Sequence, residues 1–124
     1  MSRWNLYDVP ELRHVVAAVE RGTRRSKLRI LTVVCARNHT LFEVYRGSDS
    51  RLYAVALRNG AQGLNPTELV DCLDQPLHHD EDGRAIVGVA TCRCHRGIWL
   101  RAKLVQEAID AGRSRVALRR VVGE

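Results

Sequence analysis

The pair Cys35 and His39 sits in VVCARNHTLFEVY (33–45), and the pair Cys92 and Cys94 sits in VATCRCHRGIWL (89–100). Each pair lies at the end of an apolar, branched run, where an extended chain has to turn. The two pairs are far apart in sequence. A fold that brings them together has to do so through the strands that carry them.

The rest of the chain supplies those strands. Residues 28–35 are rich in branched apolar side chains and read as a strand buried on both faces. Further strands are expected at 41–46, 52–58, 85–91 and 115–122, with Gly47-Ser48-Asp49-Ser50 as the turn after the second. In the last strand Val116 and Leu118 point one way and Arg115 and Arg119 the other. Three helices are expected. The first covers 8–22, capped by Asp8, with Pro10 in its first turn and Gly22 at its end. The second follows the capping-box pattern Asn65-Pro66-Thr67-Glu68 to about Leu73, with Cys72 on its apolar face. The third covers 99–111, with Leu100, Leu104, Val105, Ala108 and Ile109 as its apolar face and Gly112 as its stop. The expected fold is α+β: a mostly antiparallel sheet of about five strands with three helices, in one domain over 1–124.

Three sulfurs and one imidazole suit a zinc ion. Zinc takes thiolate and neutral imidazole in a tetrahedral shell, and structural sites close it with four protein ligands. The expected ligands are Cys35, His39, Cys92 and Cys94, with His95 as a substitute for Cys94, because C-x2-H from Cys92 is also workable. The bland alternative makes Cys35 and Cys92 small buried strand-end residues and leaves His39 and Cys94 as ordinary loop groups.

A knuckle leading into strands, then a second ligand pair before a helix, resembles a treble-clef or zinc-ribbon module. CARNHTLFEVYR together with CRCHRGIWLRAKLVQEAIDAGRSRV also resembles small, uncharacterised zinc-binding proteins of GC-rich bacteria and their phages. The resemblance covers 28–121, with 59–85 as an insertion. Where that family pairs C-x2-C, this chain has C-x3-H and C-x-C. The resemblance implies a metal-stabilised fold and a structural Zn2+; it implies no activity.

Nothing in the chain spells out catalysis. Four protein ligands leave no position for a reactive water. His39 is followed by Thr40 and Leu41, not by the glutamate of a zinc deaminase. There is no phosphate-binding glycine loop. Asn38-His39 with His78-His79-Asp80 faintly suggests an HNH-like nuclease in the wrong order, and 78–82 reads more simply as a solvated turn. A Cys35/His39 nucleophile lacks an orienting third group.

With a net charge of +6, the chain attracts polyanions. Its basic residues are 18 Arg and 2 Lys, a skew that GC-rich coding also produces. They fall in three clusters: Arg21, Arg24, Arg25, Lys27 and Arg29; Arg93, His95, Arg96, Arg101 and Lys103; and Arg113, Arg115, Arg119 and Arg120. If the last helix packs on the final strand, the second and third share a face. The expected partner is nucleic acid, duplex or structured, held through Arg–phosphate contacts at Arg24, Arg25, Lys27, Arg93, Arg96, Arg101, Lys103, Arg113, Arg115 and Arg119. Aromatics make up only 5% of the chain, too few for a base-stacking platform. The competing expectation is a protein-interaction adaptor, inhibitor or virion component docking on a larger machine. No apolar run reaches the roughly 18 residues of a membrane span, and the N-terminal stretch lacks a secretory h-region. A reducing cytoplasm is the expected location, where cysteines stay thiols or bind metal.

Overall fold

The computed structural model describes residues 5–60, 63–92 and 95–118. Its strands are β1 (Arg29–Cys35), β2 (Thr40–Arg46), β3 (Leu52–Gly60), β4 (Gly63–Cys72), β5 (His78–His79), β6 (Ala85–Cys92), β7 (His95–Arg101) and β8 (Arg115–Leu118). The α-helices are α1 (Arg13–Glu20) and α2 (Ala102–Asp110). The fold is α+β. Its main sheet has five strands in the order β4-β3-β2-β1-β8, and a second sheet has the order β5-β6-β7. Among the described residues every pairing is antiparallel except β1 with β8, which is parallel.

The main sheet is covered on both faces. Phe42 and Val44 of β2, with Leu31, Val33 and Cys35 of β1, join Val87, Ile98, Leu100, Val105 and Ala108 in one core, beneath the second sheet and α2. Tyr45, Tyr53, Val55, Val70 and Cys72 point the other way, against Leu6, Leu12 and Val15 of the N-terminal segment. The alternation of a strand therefore buries both of its faces.

Three expected helical features take other forms. The helix over 8–22 is interrupted. Val9, just before Pro10, is extended (φ −109°, ψ 98°), as proline demands of its predecessor. Two 3-10 turns, Leu6–Asp8 and Pro10–Leu12, precede α1. Asn5, not Asp8, supplies the cap, accepting from the Tyr7 N–H. The helix expected over 65–73 is strand β4. There Val70 and Cys72 enter one core while Leu69 packs on the other, a period of two that overrides the capping signal. Cys72 is buried as expected, but in a strand. The helix expected from Trp99 begins only at Ala102, because Ile98 and Leu100 are strand residues of β7, both fully buried. Among the described residues two α-helices therefore stand where three were expected. Their C-termini follow expectation. Gly22 (φ 67°) and Gly112 (φ 72°) each close a Schellman motif, with Thr23 N–H on Ala18 O and Arg113 N–H on Ala108 O.

The second sheet touches the main sheet through β6, which lies against β2, β3 and β4. A Cβ on Gly88 would lie 2.8 Å from Phe42 Cε1. Gly88→Val should therefore destabilise by about 1–3 kcal/mol through overpacking. Urea unfolding should show a lower midpoint at an unchanged slope.

Candidate metal centre

β1 delivers Cys35 to the rim of the core beneath the second sheet, where it is 1% exposed. A tight turn follows. Cys35 N–H donates to His39 O and Asn38 N–H donates to Cys35 O, both at 2.9 Å. Asn38 takes φ 69°, a left-handed conformation that asparagine tolerates. The turn wraps the sulfur: the backbone N–H groups of Arg37 and His39 donate to Cys35 Sγ at 3.3 and 3.4 Å. Donors aimed at a sulfur suit a metal-bound thiolate, whose negative charge they share.

Cys92 ends β6, opposite His95 of β7. Its Sγ lies 3.2 Å from His39 Nδ1. The ligand atoms of Cys35, His39 and Cys92 all lie within 4.8 Å of one another, with Cys35 buried, Cys92 half-buried and His39 exposed. A tetrahedral zinc shell would space such atoms roughly 3.4–3.8 Å apart. This group could hold a metal ion. It draws on both sheets, two ligands from the β1–β2 turn and one from the end of β6. Among the described residues it is the one His/Cys/Asp/Glu group so assembled.

Cys94 and Arg93 lie outside the described residues, as do Arg119 and Arg120. His95 and Arg96 are placed by their backbone in β7. No helix opens at the second pair; β7 follows, and α2 begins at Ala102. The His39 imidazole, expected as a ligand, stands against Cys92 within the same cluster as Cys35. His78 and His79 form the exposed strand β5. Asp80 organises the turn after them, accepting from the N–H groups of Asp82 and Arg84, both at 2.9 Å. Desolvation pushes its carboxyl up, but the Arg84 N–H, the Arg101 guanidinium and the Asp82 N–H together hold it below the usual range.

The basic residues divide by partner. Arg101 pairs with Asp80 at 3.2 Å, and Lys103 loosely with Glu107 at 3.8 Å. Arg25 and Arg29 bond opposite oxygens of Glu43 at 3.1 and 2.6 Å. Arg24, Lys27, Arg113 and Arg115 are exposed. The register brings the first and third clusters together. Thr32 pairs with Glu43 on one side and with Arg115 on the other, and its N–H donates to Ser114 O. Arg115, Thr32 and Glu43 share the sheet face that Phe42, Val44 and Val116 leave. No described helix is long and apolar enough to cross a membrane.

Sequence reasoning missed Glu43, which is 2% exposed and also accepts from the Tyr45 hydroxyl. The signal was present: one carboxylate in the apolar run LFEVY, with Arg25 and Arg29 upstream. A charge in a strand buried on both faces needs partners.

Compared with protein-family models, curated proteins and solved structures, the chain matches none, so the site is read from its own geometry.

Burial raises the Glu43 carboxyl, and the bonds from Tyr45, Arg29 and Arg25 more than offset this, leaving it below its ordinary value. A lowered native pKa adds stability above the unfolded carboxylate value, and that stability drains as pH falls through the native one. Glu43→Gln should cost about 3 kcal/mol at neutral pH. The gap between variant and wild type in urea midpoint should narrow below about pH 4.

Proposed function

We propose that this chain is a zinc-stapled, non-catalytic basic module that docks on the phosphates of duplex or structured nucleic acid. The convergence of Cys35, His39 and Cys92 from two sheets carries the zinc half of the reading. Sulfur and imidazole select a borderline-soft ion, and zinc takes them without redox chemistry. Cys94, or His95 in its place, completes the shell on the sequence pattern, which leaves no site for a reactive water. A ligand-bearing turn and a ligand at a strand end resemble a zinc ribbon more than a treble clef, because β7, not a helix, follows at His95.

The nucleic-acid half is supported by the basic face at the start of β1 and β8. Arg24, Lys27, Arg113 and Arg115 are exposed there, beside the partly exposed Arg25 and Arg29. Arg presents a fork that fits phosphate, which suits contact with a backbone rather than with bases. Among the described residues Tyr7 is the large hydrophobic side chain that stands exposed, and a single exposed aromatic suits phosphate contact better than base stacking.

Native mass spectrometry of protein purified without added zinc should find one zinc per chain. Cys35→Ser should lose it and melt at a lower temperature. A metal-free wild type of equal stability would refute the staple. Binding to a duplex should weaken with salt, with a log–log slope of about −3 to −4 if four phosphates are neutralised. Replacing Arg113 and Arg115 with alanine should flatten that slope by about two. Salt-independent binding, or a slope the variant leaves unmoved, would refute the basic face.

A further inference from the structure

We propose that the Cys35–His39–Cys92 cluster is also an oxidation site: in the metal-free chain, peroxide joins Cys35 to Cys92 as a disulfide. Metal-bound and disulfide forms are then alternative states of one cluster. The inference rests on the same three residues as the zinc reading, and it is tested on metal-free protein so that the two can fail separately.

The sulfurs of Cys35 and Cys92 lie within 4.8 Å, so bonding them requires a shift of at most about 3 Å. Accessibility orders the steps. Cys92 is half-buried at the end of β6, whereas Cys35 is 1% exposed. Peroxide therefore reaches Cys92 first. The Cys92 sulfur attacks one peroxide oxygen, the O–O bond breaks, and the thiol proton leaves with the other oxygen as water. Cys92 is then a sulfenic acid. The Cys35 sulfur attacks it, the S–S bond forms, the S–O bond breaks, and the Cys35 proton leaves with the hydroxyl as a second water. Two electrons have passed from two thiols to one peroxide. A buried second sulfur at this distance intercepts the sulfenic acid before further oxidation, the arrangement of a resolving cysteine. His39 Nδ1, 3.2 Å from Cys92 Sγ, holds the attacking sulfur at the cluster. Cys72 takes no part: it is buried in the opposite core, and burial pushes its thiol up.

The experiment treats chelator-stripped, desalted protein with stoichiometric hydrogen peroxide. Intact mass should fall by two hydrogens. Trypsin cleaves after Arg93 and so separates Cys92 from Cys94. A non-reduced digest should contain the Cys35 peptide joined to the Cys92 peptide. Cys35→Ser should instead leave a sulfenic acid at Cys92 that dimedone captures. Oxidation that runs to sulfinic acid without a cross-link, or a cross-link to Cys72 or Cys94 instead, would overturn the proposal. The wild-type digest decides this even if the variant fails to fold. Native mass spectrometry of the same preparation, reloaded with zinc, scores the zinc reading by itself.

Discussion

Phe42 and Tyr45, both fully buried, leave β2 toward opposite faces of the sheet, and the rest of the fold follows from having to cover both. An antiparallel sheet with one wet face would need a single layer of cover. Here the N-terminal turns and α1 supply one cover, and the second sheet with α2 supplies the other. Neither cover has a core of its own: Val15 and Leu12 are buried against Tyr45 and Val55, and Val87 and Ile98 against Phe42 and Val33. Burying both faces also creates the electrostatic problem at Glu43. The carboxylate lies where water cannot solvate it, so two guanidiniums and a phenol take water's place.

Strand β1 then links the ion cluster to the sulfur cluster. It begins at Arg29, in the ion cluster around Glu43, and ends at Cys35, in the sulfur cluster. Seven residues of strand separate these ends by about 20 Å. That exceeds the screening length of roughly 8 Å in physiological salt, so a charge at one end is felt weakly at the other. Any influence of a metal on the Glu43 ion cluster passes through the strand and its packing. At the first of these ends, Arg25 contributes less free charge than its place in a basic run suggests. Its guanidinium, like that of Arg29, is already committed to the carboxylate that anchors β1 to β2.

Much of this was legible from residue patterns, and the failures share a cause. The runs that became β1, β2, β3 and β6 are long and branched, and the glycines that end α1 and α2 need no tertiary context. Cys35, His39 and Cys92 were legible because ligand types at strand ends are visible without the fold. The misreadings came where a local cap signal competed with burial on two sides. Asn65-Pro66-Thr67-Glu68 looks like a helix start, yet Leu69, Val70 and Cys72 need two different cores. Leu100 fits a helical stripe, yet it is held in β7 opposite Gly88. Periodicity cannot separate a short helix from a strand buried on both faces, and only the long-range pairing decides. The placement of Arg115 across Thr32 from Glu43 was illegible for the same reason, since it depends on the parallel pairing of β8 with β1.

A metal at this cluster would do more than its few bonds suggest, because of which segments it joins. Cys35 and His39 belong to the β1–β2 turn of the main sheet, while Cys92 belongs to the second sheet. Sequence separation between the two sides is large, so linking them removes much of the freedom of the unfolded chain. By the loop-closure relation used for covalent cross-links, a link of this span is worth about 4 kcal/mol. That is a sizeable share of the 5–15 kcal/mol that separates folded from unfolded states in domains of this kind. Among the described residues no strand pairing joins the two sheets, and side-chain packing such as Gly88 on Phe42 holds the β6–β7 hairpin to the main sheet. A ligand shell at the rim of that core fixes the register of one sheet over the other, which packing alone leaves less constrained. A disulfide between Cys35 and Cys92 would join the same two segments, so the metal-bound and disulfide forms of the cluster would hold the sheets together by different chemistry at the same place.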